Sequence, residues 1–154
     1  MYNSSELISL LKKKNCKIEV HHHDALFTVE DSKKLRGGII GAHSKNLFLK
    51  NKKGGFFLLS CEEVDKIDLK KISKSLGFGN ISFAKEEYLY QHLKIKPGSV
   101  SPFALLNDLE NMVDFYLEKN LYESELLNFH PLVNTFTITM EKHEFIEFMI
   151  ENNK

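Results

Sequence analysis

The sequence predicts a single α+β domain, a curved sheet flanked by helices. Three observations support this. Strand-like and helix-like runs are mixed, without the regular alternation that builds a parallel βαβ sheet. The 154 residues fit one core large enough to fold without staples. The chain carries no internal repeat, low-complexity tract or long linker.

The elements follow in order. Ser4 or Ser5 is the expected cap of a first helix, with Leu7, Ile8, Leu10 and Leu11 as its apolar stripe and Lys12 to Lys14 at its C-terminal end. Lys17 to His21 alternates as a strand does. Thr28-Val29-Glu30-Asp31 reads as a capping box opening a short helix to about Leu35, ended by Gly37 and Gly38. Leu47 to Lys50 and Phe56 to Cys61 read as a hairpin around Asn51-Lys52-Lys53-Gly54-Gly55. Asp68 caps a helix carrying Leu69, Ile72 and Leu76, stopped by Gly77 and Gly79. Ile81 to Phe83 is a short strand and Lys85 to Leu93 a helix. Strands near Val113 to Leu117 and Thr135 to Met140 follow, then a last helix from about Lys142 to Ile150.

Charge and cysteine content narrow the function. Lys+Arg and Asp+Glu are both 21, so the formal net charge is zero. That argues against a general DNA-coating protein and leaves room for RNA held by a local patch. Three lysine clusters are visible: Lys12, Lys13, Lys14 and Lys17; Lys50, Lys52 and Lys53; Lys70, Lys71 and Lys74. Each reads by default as a solvated face or turn. Cys16 and Cys61 form no Cys-x-x-Cys pair, and a disulfide is not expected. The N-terminus lacks the order of a signal peptide, and no apolar run approaches the roughly 20 residues that span a bilayer. A cytoplasmic protein is expected.

Three separated segments could carry chemistry. Lys45-Asn46 opens the apolar run Leu47-Phe48-Leu49, where an ammonium at a sheet edge can bind phosphate or steady an oxyanion. Gly98-Ser99-Val100-Ser101-Pro102 makes a rigid turn whose successive N–H groups can cradle an anion or a carboxyl oxygen. His130 sits between Phe129 and Pro131. His21, His22 and His23 suggest a metal, but no acidic or imidazole partner at a diagnostic spacing completes a site. No Gly-x-Ser-x-Gly elbow, Walker loop or Rossmann fingerprint is present.

Taken together, the segments Gly41 to Leu49, Lys96 to Phe103 and Asn128-Phe129-His130-Pro131-Leu132-Val133-Asn134-Thr135 resemble the YbaK/ProX family. These are aminoacyl-tRNA deacylases related to the editing domain inserted in bacterial prolyl-tRNA synthetases. The likeness runs from about Phe27 to Phe148 and includes Leu35-Arg36-Gly37 and Pro102 to Asp108. The family's His-Pro-Pro-x-Phe-Thr stands here as His23-Asp24-Ala25-Leu26-Phe27-Thr28, with both prolines missing.

The resemblance implies one editing domain over residues 1–154, with a mixed, strongly bent, partly barrel-like sheet. It implies hydrolysis of mischarged tRNA, with alanine on proline tRNA as the substrate, because Lys45-Asn46 stands where other branches show Lys-Thr. Lys45, Asn46 and His130 are the implied catalytic residues. His23, Phe27, Thr28, Gly98, Ser99, Val100, Ser101, Pro102, Phe129 and Asn134 are the implied substrate contacts, with Val20, Phe27 and Phe129 as pocket walls. No metal or cofactor is implied. The expected partners are the acceptor end of proline tRNA, held by Lys50, Lys52 and Lys53, and prolyl-tRNA synthetase as a second candidate; DNA and membrane are not expected. A freestanding, trans-acting monomer is the expectation. Two alternatives stand beside it: a deacylase for another ester, such as cysteine on proline tRNA, and a non-catalytic tRNA- or synthetase-binding module.

Overall fold

The computed structural model describes residues 1–25 and 29–154, the side chains of residues 29, 32, 35 and 36 excepted. The first helix, α1, spans Ser4–Lys13. Its cap is Asn3, not Ser4 or Ser5. Asn3 Oδ1 accepts the Glu6 N–H at 2.9 Å, and the Glu6 carboxylate accepts the Asn3 N–H at 3.1 Å. A reciprocal cap needs an acid three residues on, and only Asn3 has one there. Strand β1 covers Ile18–His22, and α2 covers Val29–Gly38. Helix α2 therefore runs through the two glycines expected to end it. The expected cap Thr28 lies outside the described residues.

Strands β2 (Ala42–Asn51) and β3 (Phe56–Glu62) form the hairpin. Asn51 Oδ1 closes its turn by accepting the N–H groups of Lys53 and Gly55 at 3.0 and 2.9 Å. Helix α3 spans Leu69–Leu76, capped by Asp68 and ended by Gly77 in the left-handed region. Then come β4 (Ile81–Phe83), α4 (Glu86–Leu93), a 3-10 turn (Pro102–Asn107), β5 (Val113–Leu117), α5 (Lys119–Glu123), β6 (Leu126–Phe129), β7 (Phe136–Glu141) and α6 (Lys142–Glu151). The 3-10 turn, α5 and β6 were not foreseen.

The strands build one mixed sheet in the order β1-β7-β6-β2-β3-β5, with β4 added to β2. The β2–β6 and β3–β5 pairs are parallel and the others antiparallel. Among the described residues the sheet ends on β1 and β5 and is not closed into a barrel, giving the expected mixed sheet flanked by helices. One edge of β2 is shared: β6 pairs Ala42 and His43 at its start, and β4 pairs Leu49 to Asn51 at its end. Between them β2 and β6 part.

Each face of the sheet has its own core. Side chains alternate along a strand, so Phe48 and Leu58 enter the main core with α1, α4 and α6, through Leu7, Leu11, Leu93 and Phe148. Leu49, Phe57 and Leu59 face the other way, onto Leu69, Ile72 and Leu76 of α3. The main core is rich in aromatic rings. Phe129 stacks on Phe145 at 4.7 Å between centroids, and Phe103 meets both edge-on. Each buried phenylalanine contributes about 1.5–3 kcal/mol by leaving water. No helix among the described residues is long and apolar enough to cross a membrane.

Candidate active site

The gap between β2 and β6 opens a cavity of about 240 Å³. Lys45, Asn46, Gly98, Val100, Phe129 and His130 all border it, so three distant segments meet as the sequence suggested. His43, Ser44, Glu63, Asn128 and Thr137 border it too. The sequence reading had singled out none of these five as functional. His43 and Ser44 lie in the quoted Lys45 segment and Asn128 in the quoted His130 segment, so position was their signal. Glu63 and Thr137 had none.

Adjacent strand positions separate Lys45 from Asn46. His43 and Lys45 share the face that carries Leu47 and Leu49, while Ser44 and Asn46 share the face of Phe48. The Lys45 ammonium donates to the Asp65 carbonyl in the loop after β3. Asn46 Oδ1 accepts the Ser60 hydroxyl, and its Nδ2 donates to Ser44 Oγ at 3.3 Å. Beneath Lys45, Cys61 is buried and its thiol is pushed up to about 11, mainly by burial; it stays protonated.

His130 is fixed from behind. The Phe136 carbonyl lies 2.9 Å from Nδ1 and can only accept, so Nδ1 carries the proton and Nε2 the lone pair. Burial lowers its pKa from the ordinary histidine value, opposed by that hydrogen bond and helped by the nearby His23. The ring is therefore neutral at pH 7. His23 lies 6.0 Å away between ring centroids, with Nδ1 on the Asp24 carbonyl and Nε2 on Thr137 Oγ1, both at 2.8 Å. His21 instead faces Glu19 at 3.6 Å. The histidine run does not converge, and among the described residues no three Cys, His, Asp or Glu groups could hold a metal.

The Gly98 loop crosses the opening. Gly98 has φ +86, and Ser99 N–H closes a turn on the Lys96 carbonyl at 3.2 Å. Among the described residues the Gly98 and Val100 N–H groups take no backbone acceptor. Gly98 and Val100 both line the cavity.

The other expected contacts stand further back. Ser101 is buried and its Oγ accepts the Phe103 N–H at 3.3 Å, while the buried Pro102 starts the 3-10 turn. Asn134 lies behind Gly98, its Nδ2 4.0 Å from where a Cβ would stand. Phe129 is 1% exposed and its ring belongs to the main core, so it floors the cavity rather than walling it. Val20 packs against the same core, away from the cavity. Phe27 and Thr28 lie outside the described residues.

Fold and cleft together define a small α+β domain with a compact pocket lined by both polar and apolar groups. The family follows from comparison. Residues 23–148 match the aminoacyl-tRNA editing domain, and the chain belongs to that family. It is 34% identical over 132 residues to the prolyl-tRNA editing protein ProX of Acetoanaerobium sticklandii, covering 85% of this chain and 80% of that one. It is 36% identical over 149 residues to prolyl-tRNA synthetase associated domain-containing protein 1 of Xenopus laevis, covering 94% and 88%. The fold also matches a crystal structure described as a candidate trans-editing enzyme for prolyl tRNA synthetase. There the TM-score is 0.70 at 16% identity, over 95% of this chain and 91% of that one.

Proposed function

We propose that this protein removes alanine from mischarged proline tRNA by hydrolysing the ester to the 3′-terminal ribose. One observation carries the reading: Lys45, a neutral His130, Gly98 and Val100 border one small cavity in an editing-domain chain. In the reaction a water oxygen adds to the ester carbonyl carbon. The bond from that carbon to the ribose oxygen then breaks, and the ribose oxygen takes a proton.

The residues divide this work. His130 Nε2 orients the water. The Gly98 and Val100 amides receive the carbonyl oxygen as charge develops on it, the moment at which preorganised donors matter most. Lys45 holds the terminal nucleotide. Asn46 shapes the pocket from the opposite face through Ser44 and Ser60. The ribose hydroxyl next to the ester assists the water, since the protein's own contribution is mainly orientation and oxyanion stabilisation.

Selectivity comes from size. A synthetase pocket built for proline gains only about 1–3 kcal/mol against a ligand lacking methylenes. A second pocket fitted to a methyl group excludes the proline ring by clash, which discriminates more strongly. We extend the editing unit over residues 1–154. Leu7 and Leu11 sit in the main core, and Tyr2 N–H donates to Asn107 Oδ1 at 2.7 Å. We place the protein in the cytoplasm, acting in trans on tRNA as a monomer. The test is a panel of mischarged tRNAs with purified protein. Alanyl-tRNA for proline should be hydrolysed fastest; hydrolysis of none would leave the binding-module alternative.

A further inference from the structure

The three lysine clusters, equivalent in the sequence, are not equivalent in the structure. The N-terminal one is met by acids: Lys14 pairs with Glu151 at 3.7 Å, the Lys17 N–H donates to Glu144 at 3.2 Å, and Glu19 and Glu141 line the hollow beside Lys12 and Lys17. The other two converge. Strand β4 pairs with the end of β2 and contacts α3, so Asn80 and Ile81 become the shared wall of two adjoining hollows. Lys50 and Lys52 line one hollow, Lys70 and Lys74 the other, and no acidic residue lines either. Among the described residues these four lysines make no ion pair. Asp68, two residues before Lys70, is turned to the helix cap, accepting the backbone N–H groups of Lys70 and Lys71. Lys71 lies apart, in the acidic hollow of Asp65 and Glu118.

We infer that this β4 edge of the sheet is the RNA-backbone site of the protein: Lys50, Lys52, Lys70 and Lys74 neutralise phosphates. Unneutralised lysines along adjoining hollows are what a backbone-tracking surface requires. The location fits a substrate whose reactive end sits in the cavity. Lys45 and Lys50 lie on one strand, five residues or roughly 16 Å apart, so a strand of a few nucleotides spans from cavity to patch. The inference rests on the tRNA reading of that cavity.

The probe is an uncharged RNA hairpin of the proline acceptor stem with its single-stranded 3′ end, titrated by fluorescence anisotropy across a salt series. The combined variant Lys50→Ala, Lys52→Ala, Lys70→Ala, Lys74→Ala should bind about tenfold or more weaker near 0.1 M salt. Its slope of log affinity against log salt should flatten by about 3. The pairs Lys50→Ala with Lys52→Ala, and Lys70→Ala with Lys74→Ala, should each give about half that change, and four arginines should restore it. A control, Lys12→Ala with Lys13→Ala, should leave affinity and slope near wild type.

Hydrolysis of alanyl-adenosine, which has no phosphate, should be the same in the wild type and the combined variant. If the wild type hydrolyses no ester, the deacylase reading fails while the RNA slope still decides this surface. Wild-type affinity and slope in the folded combined variant would overturn the proposal. So would equal flattening in the control, or lysine-dependent binding to phosphatidylserine vesicles without binding to RNA.

Discussion

Lys45 and His130 carry the chemistry by being held differently. Among the described residues the Lys45 ammonium donates to one carbonyl, that of Asp65, and can exchange it for a phosphate or ester oxygen. Lys45→Met keeps the stem and removes the charge. It should lower kcat/KM about 100-fold or more and cost only about 1 kcal/mol of stability, the worth of one such hydrogen bond. Initial rates paired with a thermal melt check this; near-wild-type turnover in a folded variant removes Lys45 from the site. His130 gives a pH signature. Its folded pKa lies below the ordinary value because burial disfavours the charged ring. Activity that needs its lone pair should therefore persist below pH 6.5 and fall only as pH drops through the lowered pKa. The same shift affects stability. Below pH 6.5 the unfolded chain binds this proton and the folded one does not, so His130's contribution is complete above 6.5 and declines towards the folded pKa. A pH–rate profile beside an NMR titration of the ring tests both. An activity loss centred above 6.5 contradicts the assignment.

At the scale of elements, the site depends on how β2 and β6 join and part. Gly41 sets the junction with φ +104, where a Cβ would stand 2.9 Å from Asn128 Nδ2 and 3.0 Å from the Leu126 carbonyl. Gly41→Ala should cost about 2–4 kcal/mol, combining a left-handed backbone with a clash against β6. Gly98 is the contrast: φ is +86 but nothing lies nearer than 4.0 Å, so Gly98→Ala should cost about 1 kcal/mol and report on the loop through rate. Denaturant unfolding separates them, and equal midpoints for the two variants would contradict the junction. These elements were unequally legible in the sequence. Helix α3 showed itself by Asp68 and Gly77, and β4 and β5 by short apolar runs. Strand β6 did not, because Leu126–Phe129 is brief and its central Asn128 is buried by bonds to Ile40 and Thr139 that no local pattern reveals. The start of β2 was missed for a functional reason. His43 to Asn46 borders the cavity and is polar where a core strand would be apolar. Helix α5 spans five residues, too few to display a helical period.

At the scale of the molecule, a net charge of zero hides a division of labour. Lys50, Lys52, Lys70 and Lys74 line two adjoining hollows that no acidic residue borders, while Lys12 and Lys17 share theirs with Glu19 and Glu141. The cavity's membership was legible as far as Lys45, Gly98 and His130, since each stands in an ordered segment. Glu63 was not, because it reaches the cavity only through the pairing of β3 with β2. The opposite facing of Lys45 and Asn46 follows from strand alternation once β2 is known to begin at Ala42. The central claim is a size sieve that acts on an ester, and one comparison tests it most directly. Alanyl and prolyl esters of the same proline tRNA are given to the protein at one salt concentration, and initial rates are read. The account predicts rapid release of alanine and a prolyl ester that survives at least about 100-fold longer, a difference of about 3 kcal/mol. Equal rates on the two esters would contradict it.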